Sequence, residues 1–145
     1  MVKYSLSEYE LRKKYMNQVN LKTVLLYPEV PVFCRSVDLV EKNKEENSIT
    51  AIEFKLHDWK KAISQAKSVS VCFDYIYICI PRPKKKNNEM KIYYKCKEQG
   101  IGLLLYDECL DNFERVLEGK KAINIWNKQK EMISDNLEAL EWMDV

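Results

Sequence analysis

The chain has 145 residues, 46% of them hydrophobic and 11% aromatic, enough for one domain spanning residues 1–145 to bury a core without a metal or disulfide staple. Its 24 basic and 22 acidic residues leave a formal charge of +2, so any attraction for phosphate must come from local clustering rather than bulk charge. Five cysteines with no CxxC pair and a single histidine exclude a zinc-finger pattern and read as reduced thiols, while the lack of a signal-length or bilayer-length apolar run implies a cytoplasmic protein with no membrane partner.

Residues 5–17 are rich in helix formers, with Leu6, Tyr9 and Tyr15/Met16 near helical spacing; they predict an amphipathic helix capped by Ser5 or Ser7, the latter with Glu10 as a capping box. Residues 23–32 carry Val24 to Tyr27 and are interrupted by Pro28 and Pro31, which suits an edge strand. Residues 37–42 and 49–56 read as a hairpin joined through the polar run 43–47. On the second of these strands the alternation sets Ala51, Glu53 and Lys55 on one face and Ile52, Phe54 and Leu56 on the other.

At His57 and Asp58 the period changes to about 3.6, with Trp59, Ala62, Ile63, Ala66 and Val69 sharing a face and Asp58 placed to cap the helix. The near-continuous apolar run 75–80 then suits a central strand covered on both sides. Strand, helix and strand at this spacing predict a crossover between parallel neighbours. Residues 81–88 form a basic loop, 89–99 a helix ended by Gly100, and 101–106 another strand. The pattern at 113–117 fits either a short strand or part of a helix. Residues 126–142 predict a closing helix with Met132, Ile133, Leu137, Leu140 and Ala139 on its apolar stripe, and that stripe, with Trp142, serves either to close the domain or to bind another subunit. The order is that of a small α/β layered fold.

Asp38 and Glu53 lie on neighbouring predicted strands. Carboxylate oxygens suit Mg²⁺, and the Phe54 carbonyl between Glu53 and Lys55 offers a further ligand. Lys55 shares the Glu53 face, where an ammonium can orient water, assist its deprotonation or stabilise phosphate charge. Glu-x-Lys alone is a common strand pattern. What sets this one apart is the preceding acid, the apolar opposite face and the helix that follows directly.

The segments Arg35-Ser36-Val37-Asp38-Leu39-Val40, Ala51-Ile52-Glu53-Phe54-Lys55-Leu56 and Asp58 to Ala66 with its Gln65, together with the strand through Ile80, resemble the core of the PD-(D/E)xK nuclease superfamily. That superfamily includes restriction-type enzymes, archaeal-type junction resolvases and nuclease domains of repair proteins. The resemblance covers about a third of the chain and departs from the pattern by placing Val37, not proline, before Asp38. It implies a restriction endonuclease-like three-layer α/β/α core with a central mixed β-sheet flanked by helices. It also implies a Mg²⁺ site, in which Mn²⁺ can substitute, and hydrolysis of DNA, duplex or branched. Asp38, Glu53 and Lys55 match the motif's acids and lysine, and Gln65 matches a helical glutamine that organises the site or contacts substrate. An earlier acid is supplied by Glu29, or alternatively by Glu8 or Glu10. Cutting both strands implies a homodimer; the runner-up is an inactive nucleic-acid-binding or interaction domain on the same scaffold.

Arg35 either reaches phosphate or pairs with an acid. Arg82, Lys84, Lys85 and Lys86 follow a central strand and are candidates for backbone contacts to nucleic acid. His57 reads as a surface or capping residue, and Tyr75, Tyr77, Tyr93 and Tyr94 as core or flanking aromatics rather than a stacking platform.

Overall fold

The computed structural model describes residues 6–19, 21–33, 35–122 and 127–143, with backbone alone at 128, 129 and 139–143. Helix α1 (Glu8–Gln18) is followed by β1 (Val24–Val32), β2 (Arg35–Asn43), β3 (Ile49–Phe54), α2 (Trp59–Ser68), a 3-10 turn (Ser70–Cys72), β4 (Tyr75–Pro81), α3 (Lys86–Gln99), β5 (Gly102–Asp107), β6 (Asn112–Leu117) and α4 (Asn127–Met143). The six strands form one sheet in sequence order. β1, β2 and β3 are antiparallel neighbours, as are β5 and β6, whereas β3, β4 and β5 run parallel.

Local chemistry accounts for most boundaries. The Ser7 hydroxyl accepts the Glu10 N–H and donates to its carboxylate, both at 3.0 Å, so Ser7 is the cap of α1 and Glu10 answers its hydroxyl rather than its backbone N–H; Ser5 lies outside the described residues. β1 stands at the sheet edge, where Pro28 and Pro31 cost no ladder bond on the open side. In the β2–β3 turn the Asn43 carboxamide oxygen accepts the N–H groups of Glu45 and Glu46. Asp58 caps α2 by accepting the Lys61 N–H at 3.1 Å. Gly100, at φ 73, takes the left-handed turn that ends α3.

Helices cover both faces of the sheet. Leu11 and Tyr15 of α1 pack with Leu39, Ile52, Phe54, Cys79 and Leu104. On the other face α2, α3 and α4 supply Ala62, Ala66, Ile92, Cys96, Ile133 and Leu137 against Val40, Ala51, Ile78, Leu103 and Leu105. This two-sided burial explains why β4 and β5 lack a polar alternation. Burial also keeps Cys72, Cys79 and Cys96 as free thiols, while Cys109 is exposed; Cys34 lies outside the described residues.

Four expectations need adjustment. β3 ends at Phe54 rather than Leu56, because the chain turns toward the Asp58 cap. α3 begins at Lys86, so Lys86, Asn87 and Asn88 are helical rather than loop. Residues 113–117 lie in a strand, since β5 offers them an edge to pair with. Met132 is exposed and lies off the apolar stripe that Ile133 and Leu137 form; Trp126 and the side chains of Ala139, Leu140 and Trp142 lie outside the described residues.

Candidate metal centre

Antiparallel pairing sets the geometry of the site. Leu39 pairs with Ile52 and Val40 with Ala51, so one step further along the same register Asp38 stands opposite Glu53. The Asp38 Oδ2 accepts the Phe54 N–H at 2.8 Å, which holds that carboxylate against the β3 backbone. In an extended strand the N–H and C=O of one residue face the same neighbour, so the Phe54 carbonyl is directed toward β2 as well.

Glu53 is 1% exposed, and its Oε1 lies 2.7 Å from an Arg35 guanidinium nitrogen. An ion pair alone would hold the carboxyl low. Instead burial, followed by the charge and hydrogen bonding of Asp38, pushes Glu53 up to about 8 against the pull of Arg35 and Lys55. The balance has a simple cause: a carboxylate taken out of water beside a second carboxylate ionises at a cost, and the available cations offset only part of it.

Lys55 follows the last ladder residue, and its N–H still donates to the Cys79 carbonyl at 3.1 Å. Its ammonium lies 3.6 Å from Glu8 at the start of α1, while its charge also acts on Glu53. Asp38, Glu53 and Lys55 therefore share one electrostatic cluster, and Glu8 adjoins it through the lysine.

Other expected members take different places. Glu29, at φ 53 and largely exposed, sits 3.5 Å from Arg12. It does not join the two acids, and among the described residues no three histidine, cysteine, aspartate or glutamate side chains are grouped to hold an ion. Glu10 is engaged in the α1 cap. Gln65 enters the cluster through its backbone, accepting from Arg35 at 2.9 Å.

Arg35 is spent on structure, tying β2 to Glu53, the Gln65 carbonyl and the Ser68 hydroxyl. A surface phosphate contact does not fit that engagement. Arg82 is likewise paired, with Glu89 at 2.7 Å and with Glu114, and Lys86 contacts Glu89 at 3.0 Å. Lys84 and Lys85 are exposed.

Arg12 is a participant that sequence reasoning missed. Its guanidinium donates to the Asp38 carbonyl at 3.4 Å and faces Glu29, and its Nε is buried without a partner, as is that of Arg35. The available signal was an arginine between Leu11 and Tyr15, within the buried stripe of α1.

The donor set suits a small hard cation. Mg²⁺ commonly takes one or two protein carboxylates and completes its shell with water and substrate phosphate, which matches Asp38 and Glu53 without a third acid. No family model and no curated protein matches this chain. Its fold is similar to that of SPO1766, a protein of unknown function from Silicibacter pomeroyi, with a TM-score of 0.65 and 15% identity over 96% of this chain and 90% of that one.

Proposed function

We propose that the chain is a Mg²⁺-dependent DNA endonuclease of the PD-(D/E)xK type, with Asp38 and Glu53 as metal ligands and Lys55 as the catalytic cation. The observation that carries this reading is the carboxylate pair across β2 and β3, a buried Glu53 beside a half-buried Asp38, within the field of a lysine. A mixed sheet with helices on both faces supports it.

Within that reading Asp38 is oriented by the Phe54 N–H and Glu53 by Arg35. The Phe54 carbonyl offers a third oxygen. When bound, the ion supplies charge neutralisation at the phosphate and lowers the pKa of coordinated water. Lys55 holds a positive charge at the end of β3, where it positions the attacking water and stabilises the charge developing on the phosphoryl oxygens. Glu8 restrains that lysine, and Gln65 supports the site by anchoring Arg35. The substrate class is duplex or branched DNA, with two copies of the chain acting where both strands are cut.

One observation favours a second reading, a catalytically silent nucleic-acid-binding or interaction domain. Arg35 occupies Oε1 of Glu53, and an arginine that neutralises a ligand carboxylate competes with an ion for it. Incubating duplex, nicked, flap and four-way DNA with the protein in Mg²⁺, Mn²⁺ or chelator separates the two. Metal-dependent cleavage that disappears in Glu53→Gln and Lys55→Ala, with both variants folded, supports the enzyme; cleavage equal in all three proteins sinks it.

A further inference from the structure

A second concave region lies at the carboxyl ends of β3 and β4. It is a cavity of about 650 Å³ that begins at Leu56, one residue beyond Lys55, and lies between the first turns of α2 and α3. Its volume is that of a small-molecule site.

The lining combines two chemistries that seldom serve the same ligand. Lys60, Lys84 and Lys91 are exposed amines at its wall, opposed by Glu108, and His57 adds a further nitrogen. Arg82 also borders the cavity, but its charge is met by Glu89 and Glu114. Beneath these groups lies an apolar floor of the buried Ile80 and Ile92, with Leu56 and Trp59 half-buried at its sides. The Lys60 ammonium rests 5.6 Å from the Trp59 ring centre, a contact that a phosphate can draw away and so uncover the ring face. A ligand with both an anionic group and a planar apolar body satisfies the whole lining. An isolated phosphate leaves the floor bare, and a lipid-like or purely aromatic ligand leaves the lysines unpaired.

We propose that this cavity is a subsite for an unpaired nucleotide of single-stranded nucleic acid, with the base against Trp59 and the backbone phosphates held by Lys84 and Lys91. In substrate terms the inference rests on the nuclease reading: a strand whose scissile phosphate lies at Asp38 and Glu53 passes Lys55 and places a neighbouring nucleotide in the cavity. The subsite thus selects DNA with an unpaired segment beside the cut, such as a flap, a gap or a branch, over continuous duplex. Base stacking on an aromatic ring tolerates any sequence, and lysine contacts to phosphate add affinity without reading bases.

The test is binding in chelator, where cleavage does not interfere. Fluorescence anisotropy would compare a labelled short oligothymidylate with a blunt duplex, using wild type, Lys84→Glu with Lys91→Glu, Trp59→Leu, and a charge-matched control, Lys67→Glu with Lys97→Glu, at the far ends of α2 and α3. The oligothymidylate should bind more tightly than the duplex. The lysine reversals should weaken it by about tenfold or more and flatten its salt dependence, Trp59→Leu should weaken it by about tenfold, and the control pair should not. Thymidine monophosphate should compete better than inorganic phosphate.

Binding equal in wild type and the Lys84→Glu with Lys91→Glu variant, or a preference for blunt duplex, overturns the subsite even if metal-dependent cleavage is found. Displacement of the oligonucleotide by an acidic peptide as readily as by thymidine monophosphate does so too. Cavity-dependent binding without metal-dependent cleavage keeps the subsite and removes the nuclease, so the two readings fail separately.

Discussion

Glu53 and Glu41 are both buried acids, and their partners give them different consequences. Glu53 faces Asp38 and two cations, so under the nuclease reading an ion held by the pair would relieve their repulsion and stabilise the native state by mass action. Adding millimolar Mg²⁺ should raise the thermal midpoint of the wild type by a few degrees and leave that of Asp38→Asn unchanged; differential scanning fluorimetry in chelator and in Mg²⁺ checks this. Glu41 accepts a hydrogen bond from Tyr15 on the α1 face. Burial raises its carboxyl above the ordinary 4.5, although the Tyr15 bond and Arg115 pull the other way. Because the folded pKa is raised, the native state holds more protons than the unfolded chain from about pH 4.5 upward, and stability falls as pH increases. Glu41→Gln removes that loss and keeps an acceptor for Tyr15. Its stability relative to wild type should therefore grow between about pH 5 and about pH 8, as urea unfolding at the two values would show.

At the scale of elements, α1 is both a lid on one sheet face and a carrier of charge to the site. Its first turn brings Glu8 to Lys55 and its second brings Arg12 to the Asp38 carbonyl. Ser7→Ala removes the hydroxyl that accepts the Glu10 N–H and should lower stability by about 1 kcal/mol, measurable by urea unfolding. β5 presents a different constraint. A Cβ on Gly102 would lie 2.2 Å from the ring of Tyr77, which is buried across the parallel β4–β5 pair. Gly102→Ala should cost roughly 1–3 kcal/mol through overpacking, and the cost should shrink when Tyr77→Ala is added, giving a coupling readable in a double-mutant cycle.

These elements also show what sequence could and could not reveal. α2 was legible to its cap, because Asp58 and the spacing of Ala62, Ile63 and Ala66 are local facts. β6 was ambiguous because Phe113 to Leu117 is stabilised by an edge of β5 that no local pattern discloses. The acids Asp38 and Glu53 were legible as a pair, since a hairpin fixes their register through its turn. Glu29 was misplaced: its side chain follows Arg12 on a helix distant in sequence, and its positive φ is a consequence of the edge strand's path.

For the whole molecule, the sheet separates two environments. One face carries α1 with the Tyr15–Glu41 pair, the other carries three helices over the larger core, and a cavity opens at the carboxyl ends of β3 and β4. By itself the sequence determined an α/β chain with a β-hairpin followed by parallel crossovers, and it marked Asp38, Glu53 and Lys55 as a related group. Hydrophobic period, turn residues and caps act over a few neighbours, which is why they can be read in one dimension. Only the tertiary structure decided which charges remain available. Arg35, Arg82 and Lys86 lie in basic or motif-bearing segments, yet each meets an acid brought beside it by folding. Lys84, from the basic run, and Lys91, which the sequence did not mark, line one cavity together. Ion pairing depends on distance through space, and distance through space is what strand register and helix packing supply.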